Sequence, residues 1–336
     1  MEQTRIKPQI IVIVGPTASG KTQLAIKLAK KYNGEIVSAD SRQVYRGMDI
    51  GTAKPSPEER RQIPNHLIDI KNPDEEYTLA EYKKDCLAVI KKILNKGKLP
   101  ILVGGTGLYV SAVVDNWEIP EVKPNTELRA KLEKELKEKG VRNLYEKLIK
   151  LDPEAAYIVD PRNPRRIIRA LEIISGSGKL FSEQRKKGKK FFNALKIGLN
   201  PPKEELKKRI NKRVDEMIKK GLVEEVRGLA QKYGADTPAF DAIGYREIID
   251  CLKNKISLQD AAALMKKNTW TYAKRQMTWF RKDKEIKWIN NQKEAEKLLF
   301  FVKIKGKLPS PFPLLITKHK DTHPQPNLQR LYAELP

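Results

Sequence analysis

The eight residues from Gly15 to Thr22 constrain the fold of this chain more than any other segment. Their sequence, GPTASGKT, matches the pattern G-x-x-x-x-G-K-[ST], and we call it the P-loop. The apolar, β-branched run Ile10–Val14 before it predicts a strand buried on both faces, and the apolar spacing over 21–32 predicts a helix after it. In that context the pattern predicts phosphate binding, with an ordinary strand–helix turn as the alternative. It does not identify the compound that carries the phosphate.

The segments after the P-loop predict the class of fold. Short apolar runs at 35–39, 66–70 and 98–103 predict further strands, and the periodicity over 78–95 predicts a helix between them. Strands that alternate with helices are typical of a doubly wound parallel sheet. We therefore predict an α/β fold, with a P-loop NTPase-like parallel sheet flanked by helices.

The character of the sequence changes near residue 120, and this change predicts the domain organisation. From 120 to 193 the chain is charged and helix-like, with helices expected at 125–139 and 163–174, and a strand is expected again at 194–199. We predict a first part of the core at 1–119, an inserted helical domain at 120–193 and a mostly helical continuation of the core at 194–302. Residues 303–336 contain six prolines, and we predict a flexible tail there.

The charge balance indicates the kind of partner. The chain has 67 Lys and Arg against 42 Asp and Glu, a net charge of +25, which favours a polyanion: nucleic acid first and an acidic membrane surface second. A hydrophobic content of 40% excludes a wholly disordered chain. Two cysteines and three scattered histidines disfavour a disulfide scaffold or a zinc site. Because the run Ile10–Val14 is too short to span a membrane or to form a signal peptide, we expect a soluble cytoplasmic protein.

Basic residues form three clusters, which is the strongest indication of nucleic-acid binding. The clusters are Arg162, Arg165, Arg166 and Arg169, then the run 185–190, then the pairs 266–267, 274–275 and 281–282. The pairs recur at a helical spacing and predict one basic helix face. A separate apolar stripe, Trp270, Ala273, Met277 and Phe280, predicts that the opposite side packs into a core. A solvated helix surface is the alternative interpretation of each cluster taken alone.

Asp40 and a glycine pair are candidate site residues at the ends of predicted strands. Asp40 follows the second strand, where a Mg²⁺ ligand, a general base and a turn cap all remain possible roles. Gly104-Gly105 follows the strand at 98–103 and indicates either a close approach to a ligand or a tight strand–helix turn.

Two arginines one helical turn apart, Arg209 and Arg213, are further candidates for phosphate binding. An arginine can bind phosphate in a bidentate manner. Ion pairs with Glu205 and with Asp215 or Glu216 are the alternative.

Taken together, seven segments resemble the tRNA dimethylallyltransferase (tRNA isopentenyltransferase) family. The segments are GPTASGKT at 15–22, DSRQVYRGMDIGTAKP at 40–55, LVGGTGLY at 102–109, NPRRIIRALEI at 163–173, RINKRVDEMI at 209–218, GYREI at 244–248 and AKRQMTWFR at 273–281. They follow the family's order over about residues 8–290, and the 40–55 stretch is the most specific because ordinary P-loop kinases lack it. The Cys/His module of the family's zinc-finger members is absent from the sequence, so the resemblance is to the bacterial type.

The resemblance implies a reaction and a donor site. A dimethylallyl group would move from dimethylallyl diphosphate to the N6 amine of adenosine 37, beside the tRNA anticodon. Asp40 would take the amine proton, Thr17 would be a hydroxyl partner near the reacting oxygen, and Arg213 would bind diphosphate. Mg²⁺ would be the cofactor, with Thr22 as its ligand. The diphosphate would be bound by Gly15, Pro16, Thr17, Ala18, Ser19, Gly20, Lys21 and Thr22.

The resemblance also implies a set of tRNA contacts. The implied residues are Asp40, Ser41, Arg42, Gln43, Thr106, Arg129, Arg165, Arg166, Ile167, Ile168, Arg169, Ile243, Gly244, Tyr245, Arg246, Lys274, Arg275 and Arg281. The inserted domain would bind tRNA and grip the anticodon stem-loop. We expect a monomer with tRNA and dimethylallyl diphosphate as its partners and no membrane.

Two rival functions explain part of the sequence. A P-loop kinase or NTPase that acts on a small molecule explains the P-loop and Asp40 but not the net charge or the arginine cluster at 162–169. A non-catalytic RNA-binding protein explains the charge but leaves an intact P-loop without a role.

Overall fold

The computed structural model describes residues 9–119, 122, 125–185, 188–291, 294–295 and 297, which form two compact units. The core unit comprises the described residues up to Val114 and from Phe191 onward, and the inserted unit comprises those within Asp115–Lys190. The sequence predicted an insertion at 120–193, which differs from the inserted unit only at its ends. The predicted tail at 303–336 lies outside the described residues.

A six-stranded parallel sheet forms the centre of the core unit. Its strands are β1 (Gln9–Val14), β2 (Gly34–Ser38), β3 (Asn65–His66), β4 (Leu99–Val103), β5 (Asn193–Leu199) and β6 (Lys287–Ile289). The order across the sheet is β3-β2-β4-β1-β5-β6, with every neighbouring pair parallel. Because β1 lies between β4 and β5 and has a packed layer on each face, all of its central positions are apolar. The predicted P-loop NTPase-like α/β fold is confirmed.

Helices cover the sheet and form the inserted unit. In chain order they are α1 (Lys21–Lys31), α2 (Pro57–Gln62), α3 (Leu79–Asn95), α4 (Gly107–Val114), α5 (Thr126–Leu151), α6 (Pro164–Ser177), α7 (Lys203–Lys219), α8 (Leu222–Tyr233), α9 (Tyr245–Leu252) and α10 (Leu258–Phe280). Local sequence sets their starts: Thr78 accepts the Glu81 N–H while the Glu81 carboxylate accepts the Thr78 N–H, a capping box that begins α3. No helix in the described part of the chain is both long enough and apolar enough to cross a bilayer.

The third strand is shorter than the sequence predicted. The expected strand at 66–70 is reduced to Asn65–His66, because Leu67 and Asp69 adopt left-handed backbone angles of φ 60° and 58°. Such angles break the extended conformation that a strand requires. The Asp69 carboxylate instead forms ion pairs with Lys54 and Arg60. The apolar residues of this segment therefore belong to a turn that packs on the core.

The inserted unit is built from α5 and α6. Gly140, with φ 79° and ψ 170°, interrupts α5, so the helix predicted at 125–139 is the first half of a longer, bent element. Asn163 begins α6 by accepting the Arg166 N–H at 3.2 Å. Apolar side chains from both helices form the core of this unit, among them Leu144, Leu148 and Leu171.

Candidate active site

The P-loop joins β1 to α1 in a conformation suited to an anion. Ala18 and Gly20, on either side of Ser19, have left-handed φ angles of 61° and 92°, and left-handed residues within such a turn direct backbone N–H groups toward a common concavity. The concavity lies at the N-terminus of α1, whose dipole also favours negative charge. A Cβ at Gly15 would lie 2.6 Å from the Leu199 carbonyl oxygen of β5, so glycine permits the close approach of the loop to the sheet.

Lys21 and Ser19 place polar groups in this loop that an anion would satisfy. Lys21 Nζ donates to the Pro16 carbonyl at 2.6 Å. Burial lowers the pKa of Lys21 to about 7, the charge of Arg213 adds to that effect, and Asp40 opposes it. Ser19 Oγ is buried and forms no hydrogen bond with any described residue. A diphosphate here would give the Ser19 hydroxyl an acceptor and favour the charged form of Lys21, so these groups fit such a ligand.

The two candidate arginines of α7 have different environments. Arg209 forms an ion pair with Glu205, as the alternative interpretation of the sequence proposed, and its Nη1 lies 3.5 Å from the Ser19 carbonyl oxygen. Arg213 Nη1 lies 3.5 Å from Thr17 Oγ1, and burial lowers its pKa. Arg213 is thus the arginine that faces the P-loop cleft.

Asp40 combines a turn-capping role with a place in the cleft. Its Oδ1 accepts the N–H groups of Arg42 at 2.8 Å and Gln43 at 3.3 Å. Within the described part of the chain, no group donates to its Oδ2. One oxygen therefore stabilises the turn, and the other stays available to a ligand. The capping interpretation is correct, and it leaves the catalytic roles possible.

A narrow cleft and a wider cavity meet at the P-loop. The cleft, about 90 Å³, is lined by Lys21, Thr22 and Gly104, and the cavity, about 280 Å³, is lined by Ile243 and Arg275. The residues that line both are Thr17, Asp40, Thr52, Ala53, Arg213 and Tyr272. All of them belong to the core unit. Two reactants could therefore meet beside Asp40.

Sequence reasoning did not single out Tyr272 or Gln276, which α10 contributes to this site one turn apart. Burial, followed by the negative charge of Asp40, raises the pKa of Tyr272 to about 12, so the phenol stays neutral. Gln276 is buried and bonds to both the P-loop and the loop after β4. One indication of this role is present in the sequence: Gln276 is a polar residue on the apolar side of a predicted helix, between Ala273 and Phe280.

Glu225 of α8 is a third residue that sequence reasoning did not single out. Its carboxylate accepts the three backbone N–H groups of 49–51 at 3.1, 2.7 and 3.2 Å and the Tyr245 hydroxyl at 2.6 Å. These bonds anchor the loop at 49–51. In the two residues that follow, the carbonyls of Thr52 and Ala53 accept hydrogen bonds from Gln43 Nε2 at 3.2 and 3.3 Å. The motif at 40–55 thus forms a loop held from α8, with Gln43 oriented at the cleft.

Comparison with known proteins identifies the family. The sequence model of the family described as IPP transferase matches residues 43–283. A tRNA dimethylallyltransferase of Halothermothrix orenii is 50% identical over 279 residues, which cover 82% of this chain and 85% of that protein. The chain belongs to the IPP transferase family. A tRNA dimethylallyltransferase of Carboxydothermus hydrogenoformans is 48% identical over 85% of this chain and 93% of its own length.

Solved structures of IPP transferases have the same fold. The full-length tRNA isopentenylpyrophosphate transferase from Bacillus halodurans superposes with a TM-score of 0.66 at 42% identity, covering 90% of this chain and 97% of its own. A eukaryotic dimethylallyltransferase acting on tRNA gives a TM-score of 0.76 at 31% identity, covering 90% of this chain and 80% of its own. Sequence and structure comparisons therefore agree on the family.

The predicted tRNA contacts of the core unit fall into two groups. Thr106 Oγ1 accepts the N–H of Ser41, a residue that lines the cavity, at 3.1 Å, and Arg42 Nη1 donates to the Ala239 carbonyl at 3.2 Å. Ile243 lines the cavity and Arg246 is exposed. Gly244 and Tyr245 are instead buried, and the Tyr245 hydroxyl is bound to Glu225. The Tyr245 side chain packs in the core around α9, and the tRNA contact of this residue stays a prediction.

The predicted contacts of the inserted unit also divide by burial. The side chains of Ile167 and Ile168 pack in the core of this unit, and the predicted tRNA contacts of these two residues stay predictions. Arg129 forms a bidentate pair at 2.9 and 2.8 Å with the buried Glu172, and Arg169 lies 3.4 Å from the same carboxylate. These two arginines stabilise the unit. Arg165 is exposed and Arg166 is half-buried, and their tRNA contacts stay predictions.

The basic helix face predicted at 266–282 is largely exposed on α10 and the turn after it. Lys274, Arg275 and Arg281 are exposed, whereas Lys266 is half-buried and paired with Asp215 at 2.6 Å. Ala273, Met277 and Phe280 are buried, as the apolar stripe predicted, and Trp270 packs beside Ala273. A cavity of about 520 Å³ lies along this side of α10 and shares no lining residue with the P-loop cleft.

Proposed function

We propose that this chain transfers a dimethylallyl group from dimethylallyl diphosphate to the N6 amine of adenosine 37 in tRNA and releases diphosphate. The observation that supports this most directly is the junction of the P-loop cleft with the wider cavity, where Thr17, Asp40 and Arg213 line both. The cleft offers a diphosphate site and the cavity offers room for the acceptor base. The relatives named tRNA dimethylallyltransferase support prenyl transfer rather than the kinase alternative.

The donor diphosphate would lie in the P-loop, where its charge grows as the reaction proceeds. The bond between the N6 nitrogen and the allylic carbon forms while the carbon–oxygen bond to the diphosphate breaks, and the bonding electrons leave with the diphosphate. Lys21, Arg213 and the backbone N–H groups of the loop would stabilise that charge. The hydroxyl of Thr17, 3.5 Å from Arg213, would lie beside the departing oxygen.

Asp40 would accept the proton that the amine loses. An aromatic exocyclic amine is a weak nucleophile, and its nitrogen must lose a proton as the new bond forms. The Oδ2 oxygen of Asp40 is suited to this role because Oδ1 alone caps the turn. The neutral phenol of Tyr272 lies at the same junction and would help to exclude water.

Thr22 would hold Mg²⁺ at the donor site through its hydroxyl. Among the described residues there is no group of three or more His, Cys, Asp or Glu that could form an all-protein metal site. Thr22 lines the cleft beside Lys21, and a single hydroxyl together with phosphate oxygens and water is a donor set that Mg²⁺ accepts. The bound ion would supply positive charge to the leaving group. Asp40 is the competing protein ligand, and the response of an Asp40 variant to added Mg²⁺ distinguishes the two roles.

The tRNA would approach on the basic surfaces and present one base to the cavity. A base in a stacked loop cannot reach a recessed donor, so adenosine 37 would leave its stack, as in other enzymes that modify bases. Exposed residues such as Lys274, Arg275 and Arg281 would bind the phosphate backbone. Because one chain supplies every residue of the junction, we propose that a monomer is active. We also propose that the protein works in the cytoplasm, where its tRNA substrate is found.

The decisive experiment compares two labelled donors, dimethylallyl diphosphate and ATP, on two RNA acceptors that differ at position 37. The protein is incubated with Mg²⁺ and an anticodon stem-loop that carries adenosine at position 37, with dimethylallyl diphosphate labelled in the allyl group or with γ-labelled ATP. We expect label only from the allyl donor, in a nucleoside identified as N6-modified adenosine. A stem-loop with inosine at position 37 has no N6 amine and is the matched control. Transfer of the ATP label would contradict the proposal.

A further inference from the structure

Gln276 connects two loops of the active site that are far apart in sequence. Its Oε1 accepts the Thr17 backbone N–H at 2.8 Å, and its Nε2 donates to the Gly105 carbonyl at 2.9 Å. The two partners define the orientation of the amide, because a backbone N–H requires an acceptor and a carbonyl requires a donor. The side chain is 5% exposed, so neither bond is exchanged readily with water.

The glycine motif after β4 accommodates this side chain. A Cβ at Gly105 would lie 2.1 Å from Gln276 Nε2, so the amide could keep its present position only beside a glycine. A Cβ at Gly107 would lie 2.2 Å from the ring of Trp279, so α10 approaches this loop closely at two points. At Gly105 the close approach is to a protein amide, and the predicted approach of the glycine pair to a ligand stays a prediction.

We infer that Gln276 is a positioning residue that sets the conformation of the P-loop and thereby the affinity for the donor diphosphate. The inference rests on the proposed use of the P-loop for the donor. The Thr17 N–H donates to Gln276 and not to the anion. The backbone N–H groups that contact the anion would therefore belong to the loop residues after Thr17. The bond also orients Thr17 with its hydroxyl 3.5 Å from Arg213, which is the geometry that the proposed reaction uses.

Removal of this amide would leave two backbone groups without partners inside the protein. A buried N–H or carbonyl without a hydrogen bond is unfavourable, so the P-loop would relax until Thr17 found another acceptor. Restoring the anion-binding conformation would then oppose ligand binding. The effect should be specific to the diphosphate, because Gln276 is buried away from the exposed basic face of α10.

The test is Gln276→Met, which keeps the length of the side chain and removes both hydrogen bonds. The matched control is Thr278→Val on the same helix, where the exposed hydroxyl donates to the Lys274 carbonyl at 3.1 Å. Inorganic pyrophosphate binding is measured by calorimetry, tRNA binding by filter retention, and amide exchange by mass spectrometry of peptides that contain 15–22. For Gln276→Met we expect pyrophosphate affinity to fall about tenfold or more, faster exchange in the P-loop and tRNA affinity within about twofold of wild type.

Several outcomes would overturn the inference. One is a pyrophosphate affinity of Gln276→Met that equals that of the wild type. Another is an equal loss of pyrophosphate and tRNA affinity together with a lower melting temperature, because that combination indicates a purely structural role for Gln276. If Gln276→Met does not fold, Gln276→Glu retains an acceptor for the Thr17 N–H and removes the donor to Gly105. Because the new carboxylate would itself repel an anion, the readout for this variant is amide exchange in the free protein: faster exchange of the 15–22 peptides than in the wild type supports the inference, and unchanged exchange contradicts it. Wild-type protein that binds pyrophosphate but transfers no prenyl group would contradict the proposed function alone.

Discussion

At the scale of single residues, the two carboxylate oxygens of Asp40 differ in their contacts, which separates its turn-capping role from its proposed role in the reaction. Its Oδ1 caps the turn after β2 through the N–H groups of Arg42 and Gln43. An asparagine can make the same two bonds through its own carbonyl oxygen. Replacing Asp40 by asparagine therefore removes the base while keeping the turn, which makes this substitution a clean test.

We expect Asp40→Asn to reduce turnover by about 10²–10⁴, with tRNA and donor affinities changed far less. The physical reason is that an amide cannot accept the proton of the amine. Single-turnover rates across a Mg²⁺ titration are the measurement. If Asp40 is instead a Mg²⁺ ligand, the defect shrinks as Mg²⁺ rises and donor affinity suffers first. Near-normal turnover at every Mg²⁺ concentration would exclude both roles.

Lys21 makes donor binding dependent on pH. Because its pKa is lowered to about 7 in the free protein, Lys21 is charged below that pH and loses its charge as the pH rises through it. A bound diphosphate favours the charged form, so binding above pH 7 takes up a proton. We expect pyrophosphate affinity to fall by roughly a factor of eight between pH 6.5 and 8 through this group alone.

Calorimetry of wild type and Lys21→Met at each pH isolates the contribution of Lys21, because the ionisation of pyrophosphate itself is common to both proteins. The variant should bind more weakly throughout and show a flatter pH dependence, with tRNA affinity retained. Parallel pH profiles for the two proteins would show that Lys21 does not titrate in this range.

At the scale of elements, the arginines of the inserted unit have roles that depend on where each side chain points. Arg129 of α5 binds the buried carboxylate of Glu172 on α6 through two nitrogen–oxygen contacts of 2.9 and 2.8 Å. Arg142, on the second half of α5, forms an exposed pair with Glu146. The two pairs are a matched comparison between a buried and an exposed partner.

We expect Arg129→Met to lower the local stability of α5 and α6 by about 1–3 kcal/mol, because Glu172 would lose its bidentate partner in a buried site. Arg142→Met should change it by less than about 0.5 kcal/mol. Hydrogen exchange of amides within 126–177 measures both. Similar effects of the two substitutions would show that burial does not govern the role of these arginines.

At the scale of the whole molecule, the net charge of +25 predicts how tRNA binding responds to salt. Each phosphate that a lysine or arginine neutralises releases counterions, which makes the binding constant fall with salt concentration. Exposed basic side chains occur on α10 and at the start of α6, in different units of the protein. The salt response therefore reports on how many phosphates these exposed side chains neutralise.

We expect the logarithm of the tRNA binding constant to fall steeply with the logarithm of salt concentration. The double variant Lys274→Ala, Arg281→Ala should make the slope shallower by roughly two, about one for each phosphate that the variant no longer neutralises. The same double substitution at two exposed lysines on other helices, Lys31 and Lys92, provides the control. A binding constant that is insensitive to salt in the wild type would contradict polyanion binding on this surface.

The sequence alone was sufficient for the fold class, the P-loop and the family, because these depend on local patterns. The run Ile10–Val14 encodes a strand with two buried faces, and GPTASGKT encodes the backbone that follows it. The local pattern was not sufficient at 66–70. The apolar residues there predicted a strand, but the left-handed φ angles of Leu67 and Asp69 end that strand after His66. A short apolar run does not distinguish a strand from a packed turn.

The partners of individual side chains could be seen only in the folded chain. Thr17 and Gln276 are 259 positions apart, and no periodicity relates them. The same holds for Glu225 and the segment 49–51, and for the division of the arginines between buried ion pairs and exposed positions. Helical and strand periods report which face of an element is buried, but a hydrogen bond depends on which elements pack together and at what distance. That information arises when the elements assemble, so the residues that orient this active site were visible only in its three-dimensional packing.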